Sequence, residues 1–392
     1  MDYEGARETF GVGGFHLSTR STARLGLGLA AGAVSLLVMA SPATAAPGSW
    51  SIVPTPSSGN GNDALNGVGA VSDSDAWAVG NTFTAPDANG STVQPLTLHW
   101  NGTAWQRNTA VTAPPNSVLL GVAASSATDA WAVGRRNAQG YGGSFPVLLH
   151  WNGSAWSTAN QPIATGALNA AVALSPTDAW AVGRAGRFGP QLIEHWNGSQ
   201  WSTVDASPPD PNYTPGGQLT AISARAANDI WALGTSSTVG AYAQHWNGTA
   251  WTLSFLSSAG GNAPSSVVAV GPNDVWATVN VSNGGAAYIQ HWNGTAWSVS
   301  TTRPAIEYPK LAGITARSAT DIWAIGGFLG NVNTPSPTRE VRTLHWNGTQ
   351  WTVGTAPNGG GVQVNGSGLA PGGTRTWAVG TAAGAFVLGR TN

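Results

Sequence analysis

There is no cysteine in the 392 residues, so no disulfide supports whatever fold the chain adopts. Small exported domains often depend on disulfides, but a chain of this length buries enough surface to do without them. Charge is equally scarce. Asp, Glu, Lys and Arg make up 8% of the residues, against about 25% in ordinary proteins. Ser, Thr, Asn and Gly must therefore supply most of the polar surface. A net charge of −1 gives no electrostatic footprint for nucleic acid or an anionic membrane. Lys310 is the single lysine, which argues further against phosphate binding.

Residues 1–46 read as a secretion signal. Arg20 and Arg24 precede an apolar run from Leu25 to Ala40, and Ala43-Thr44-Ala45 supplies small residues for cleavage. The expected cut follows Ala45 or Ala46; an uncleaved anchor is the alternative. The run is short for a spanning helix and rich in Gly and Ala. An extracellular protein with no membrane contact after cleavage is the expectation. Gly26-Leu27-Gly28 lies inside the signal with its third glycine misplaced, so it is not a nucleotide loop.

What the chain has in abundance is tryptophan, 20 residues of it, set in a repeat of about fifty residues. The repeat reads Asp-x-Trp-Ala-Val-Gly, then His-Trp-Asn-Gly-x-x-Trp. Its first half centres on Trp77, Trp131, Trp180, Trp231, Trp276, Trp323 and Trp377; its second half begins at His99, His150, His195, His245, His291 and His345. A fixed period means that each unit buries its apolar face against its neighbours. Each unit offers four short strand patterns with turn signals between them, as a propeller blade does. The seventh unit stops after Ala385–Arg390, without a fourth strand, whereas Trp50-Ser51-Ile52-Val53 matches a fourth strand with no unit before it. The two ends complement each other. Residues 47–392 are therefore expected to form one all-β domain: a seven-bladed β-propeller with four antiparallel strands per blade, closed by an N-terminal strand that completes the last blade.

The repeated polar residues fit structural work. The Asn-Gly pairs suit a type I′ hairpin or bulged turn between third and fourth strands, although all six are also formal glycosylation sequons. The aspartates two places before each Trp suit an Asx-type turn, with Arg375 as the exception in the seventh unit. The histidines occupy equivalent places on six units, so they spread round a ring instead of converging as zinc ligands must. Neither a metal nor a cofactor is expected. Gly59–Leu65 matches one copy of a calcium nonapeptide that works by stacking several, and reads as a polar loop entering the first blade.

The Trp-Ala-Val-Gly and His-Trp-Asn-Gly-x-x-Trp motifs resemble those of secreted bacterial propellers built from such repeats. More distantly the chain is similar to tectonin-type lectin propellers, which also place a Trp after a short turn. The resemblance covers residues 49–390. It departs from the WD repeat, lacking the Trp-Asp pair, and from kelch, because its Gly-Gly doublets have no fixed place. By analogy it implies sugar binding.

Function is expected on the variable loops, which share one face of a propeller. They and their flanks carry Arg135, Tyr141, Phe145, Arg184, Phe188, Tyr213, Tyr308 and Phe328 as candidate ligand-binding residues. Aromatic plates beside hydrogen-bond donors suit a glycan or cell-wall polysaccharide. Arg135 and Arg184 hold the same place, after Gly134 and Gly183, in neighbouring units. A lectin-like or adhesive binding module is the leading reading. A scaffold for a protein partner is the alternative, followed by a propeller glycoside hydrolase or lyase. No catalytic residues stand out, because the acids left over by the repeat show no pairing.

Overall fold

The computed structural model describes residues 48–58, 62–86, 90, 92–137, 143–206, 217–257, 262–281, 286–300, 309–330, 338–357, 363–369 and 373–391, with only the backbone at 309, 328–330, 338 and 339. The signal expected over 1–46 and the tip of the first polar loop, 59–61, lie outside the described residues.

Each Asp-x-Trp-Ala-Val-Gly segment is the second strand of a blade. Asp129–Asn137 is buried along its first six residues, because it is covered by a neighbouring blade on either side. Seven four-stranded antiparallel sheets result. In blade one the strands are Asp63–Ser72, Asp75–Phe83, Val93–Trp100 and Trp105–Arg107. Blade seven is assembled from both ends of the chain: Trp50–Ile52 pairs antiparallel with Ala385–Thr391, with Trp50 opposite Arg390. The expected closure is the observed one.

Tryptophan holds the blades together. The second-strand Trp of one blade meets two tryptophans of the next: Trp77 lies 4.8 Å from Trp151 and 5.0 Å from Trp156. The same trio recurs from blade to blade, including the junction of blades seven and one, where Trp377 meets Trp100 and Trp105. Edge-to-face pairs of this kind add about 0.5–1.5 kcal/mol each beyond their buried area. Between blades six and seven Trp323 meets Trp50 at 6.2 Å, and Arg390 replaces the second tryptophan, its guanidinium 4.0 Å above the ring.

Every first strand carries a β-bulge at one place, as between Leu65 and Gly67 or Leu168 and Ala170. The extra residue turns its side chain toward the next blade. Asn66 Nδ2 donates to Leu119 O at 2.8 Å, and Asn169 Nδ2 to Leu219 O at 2.7 Å. Thr220, Ser265 and Asn365 do the same to Pro264, Leu311 and Leu65. Leu120 and Ala312 stand at the two places without a polar group. The glycine of Trp-Ala-Val-Gly answers to close approach here: a Cβ on Gly134 would stand 2.0 Å from Val118 O.

Two expected turns differ in detail. The Asn-Gly loop has four residues, since Trp100 pairs with Trp105, and Gly102 but not Asn101 takes a positive φ, 93°. It is therefore not a type I′ hairpin. The Asn101 side chain holds it, Oδ1 accepting from the Thr103 and Ala104 N–H groups and from the Thr103 hydroxyl. The repeated aspartates do not form Asx turns. They open the second strand, while the turn before them is held by a hydroxyl, Ser72 Oγ accepting from Ser74 N, and by Trp100 Nε1 donating to Asp73 O. The aspartate carboxylate is thereby left for another partner. His99 Nε2 donates to Asp75 at 2.9 Å, and the same bond recurs between 2.7 and 3.0 Å in all six blades that have both residues. Each imidazole stacks on its own blade's Trp, at 4.4 Å for Trp77 and His99.

Candidate binding face

The Asp-bearing turns and the Asn-Gly loops lie at one end of the six blades that have them, as the register of Ser72 with Asp75 and Trp100 with Trp105 requires. The opposite end carries the loops from second to third strand and from each blade to the next. The first strands surround a central cavity of about 470 Å³ lined by the bulged residues, among them Asn66, Asn169, Thr220 and Asn365. Sequence reasoning missed this polar lining, because a bulge has no residue signature beyond an unremarkable Asn or Ser inside a strand.

Of the candidate residues, Arg135 and Arg184 sit at equivalent register positions at the variable-loop end. Arg135 is opposite Val118 and Pro146; Arg184 is opposite Ala167 and Gln191. Alternation places Arg135 on the side of Trp131 and Val133, which pack on blade three. Arg184 shares the side of Trp180 and Val182, which pack on blade four. Burial and the neighbouring charge of Arg135 both lower the pKa of Arg184. Its Nε is buried without a hydrogen-bond partner. Phe145 is half-buried beneath the guanidinium of Arg136, 4.3 Å from its ring centre. Phe188 is 63% exposed, with Arg187 5.0 Å over its ring. Tyr141, Tyr213 and Tyr308 lie outside the described residues. Phe328 pairs with Pro309 and Glu340 in the backbone of Asp321–Gly330, and its side chain lies outside them too.

Three of the acids left over by the repeat are separately engaged. Asp63 is buried, which raises its pKa, but the nearby Thr82 hydroxyl, the Ser58 N–H donating to Oδ2 at 2.8 Å and the charge of Arg107 outweigh this and hold it below the usual carboxylate range. Asp73 reaches across to blade seven. Burial again opposes ionisation, and the Thr374 hydroxyl, the Thr374 and Arg375 N–H groups and the Arg375 charge overcome it. That bond holds the turn in which Arg375 replaces the aspartate. Glu340 pairs with Arg342, Asp205 is exposed, and Asp87, Asp210 and Glu307 lie outside the described residues. Glu194 is the exception: fully buried, neither oxygen hydrogen-bonded, its pKa pushed up to about 7 by burial. Among the described residues no group of three or more His, Asp or Glu side chains could hold a metal ion.

No family model and no curated protein matches the chain. Solved structures do. YCF48 bound to a D1 peptide superposes with a TM-score of 0.57 at 13% identity over 88% of this chain and 97% of that one. A GH74 xyloglucanase from Xanthomonas campestris gives 0.57 at 14% identity over 87% of this chain, which spans 53% of the xyloglucanase. The β-propeller domain of Cps50 (Swd1) from Myceliophteria thermophila gives 0.54 at 7% identity over 88% and 99%. At these identities the likeness is one of fold, and the functions of the three differ.

Proposed function

We propose that this protein is a secreted carbohydrate-binding propeller that holds a neutral or weakly acidic glycan on its variable-loop face, centred on blades two and three. The observation that carries the reading is Phe188: a phenyl ring 63% exposed on the loop face, one side covered by Arg187, in the sector that also presents Arg135 and Arg184. An exposed aromatic plate beside guanidinium donors matches the C–H faces and hydroxyl edges of a sugar. Similar places on successive blades would engage successive units of a polymer, each contact weak and the sum stronger. The secretion signal read over residues 1–46 puts such a polymer within reach.

A scaffold for protein partners is the second reading; it draws on the fold neighbour that is bound to a peptide. The hydrolase reading has less support, because two carboxylates must flank one bond and Asp63, Asp73 and Glu340 are each tied to partners of their own.

The test is retention on insoluble chitin, cell-wall polysaccharide and plant glucans. The protein is expected to be retained by at least one polymer, and a variant carrying Phe188→Ala and Tyr141→Ala to lose most of that retention. If no polymer retains the protein, or the variant is held as firmly, the scaffold reading takes first place.

A further inference from the structure

Among the described residues the arginines other than Arg135 and Arg184 come with partners. Arg107 pairs with Asp63, Arg225 with Asp229, Arg317 with Asp321 and Arg342 with Glu340. Arg136, Arg187, Arg375 and Arg390 lie over aromatic rings. Arg135 and Arg184 are different: no described carboxylate stands within ion-pair distance of either, and they are near enough to repel each other. Arg135 is exposed and Arg184 half-buried; for Arg184 a charge taken partly out of water without a counter-ion is costly, and the like charge of Arg135 adds to the cost. A buried, unanswered N–H on Arg184 compounds it.

The repeat shows what this position does elsewhere. In blade one Asn81 lies within hydrogen-bonding reach of Asn66. In blade four Thr235 donates to Asn262 O, and in blade five Asn280 both donates to Leu311 O and accepts from Leu311 N. Those side chains fasten neighbouring strands. Blades two and three carry a guanidinium there instead, with no ion-pair partner among the described residues. Gly327 and Thr381 hold the place in blades six and seven, so arginine is shared by two consecutive blades alone, at the same register, on the loop face.

We propose that Arg135 and Arg184 are a carboxylate-binding pair that takes successive uronate groups of an acidic polysaccharide. This rests on the glycan reading and narrows it to an acidic polymer. Guanidinium meets carboxylate through two parallel N–H···O bonds, and the anion removes both the unpaired charge and the repulsion. A polymer with a carboxylate on every sugar offers the repetition that two equivalent arginines on adjacent blades present. The terminal carboxylate of a peptide would satisfy one of the two.

The experiment measures binding to four probes: polygalacturonate, the same polymer methyl-esterified, a neutral glucan, and polyglutamate. The parent is compared with Arg135→Gln and Arg184→Gln, and thermal melting is recorded for all three. Polygalacturonate should bind, its methyl ester at least tenfold more weakly, and each variant should lose at least tenfold. Binding should weaken as salt rises, since charges make it. Both variants should melt at or above the parent temperature without ligand, which separates lost recognition from lost fold. Equal binding of acid and ester, or binding of the neutral glucan alone, overturns the carboxylate inference and leaves the glycan reading standing. Arginine-dependent binding of polyglutamate with no polysaccharide bound overturns both in favour of a protein partner. No binding to any probe overturns the carboxylate inference, and the glycan reading is then decided by retention on chitin, cell-wall polysaccharide and plant glucans.

Discussion

In blade seven the repeat changes at three places together: Arg375 stands for the aspartate, Gly389 for the histidine and Arg390 for the tryptophan after it. The Asp–His bond explains the first two. A half-buried imidazole needs an acceptor, the aspartate needs a donor, and neither is useful alone. Asp229 shows the load such a residue carries, accepting from His245 Nε2 at 3.0 Å, Trp231 Nε1 at 3.2 Å and Arg225 Nε at 2.7 Å. Asp229→Ala should destabilise by about 1–3 kcal/mol, read as a lowered midpoint in denaturant unfolding. Because every repeated histidine is committed within its own blade, dialysed protein treated with a chelator should keep its melting temperature. Glu194 takes the place that Leu98, Leu149 and Leu344 fill in other blades. Its carboxyl titrates at about 7 when folded against an ordinary 4.5. Below 4.5 both folded and unfolded chains hold the proton, and the penalty for burying its charge does not arise. Between 4.5 and 7 the unfolded chain releases it first, so stability falls as pH rises and levels off above 7. The full loss is on the order of 3 kcal/mol. The melting-temperature gain of Glu194→Leu over the parent should therefore widen from pH 5 to pH 8. A constant gain would show that the carboxylate is not felt.

At the scale of the strand, the bulged residues work as latches between first strands. Five of the seven blades have a polar one, and Leu120 and Ala312 mark the two gaps. Leu120→Asn should supply the missing bond to blade three and raise stability by about 0.5–1.5 kcal/mol, and Asn169→Ala should lower it by a similar amount. Chemical denaturation of the two variants checks both signs. Strand positions were legible in the sequence because Trp-Ala-Val-Gly and His-Trp recur at fixed spacing. The turns were legible in place but not in chemistry. Asp at a turn suggests its own backbone as partner, and only the register of second and third strands, with Trp77 opposite His99, reveals the histidine instead. The face that carries the loops was legible, since it follows from strand order. The pairing state of Arg135 and Arg184 was not, because it depends on which acids the closed ring leaves near them.

For the molecule as a whole, the join between its ends is the feature that makes seven units one object. Trp50 is buried against Trp323, and Ser51 donates to Gly389 O 338 positions away. Trp50→Ala removes the aromatic that completes the last interface and should cost about 3–5 kcal/mol, comparable with the whole stability of many domains. A melting temperature within a couple of degrees of the parent would mean that the ring does not depend on this strand. The same join also sets an order in time. At about 5–20 residues per second of synthesis, the strand Trp50–Ile52 exists for tens of seconds before Ala385–Thr391 is made. During that interval blades one to six can form from neighbours already present, but the early strand has nothing to pair with. The join can form only once Ala385–Thr391 exists, so Trp50–Ile52 waits without its partner while the residues between the two strands are made.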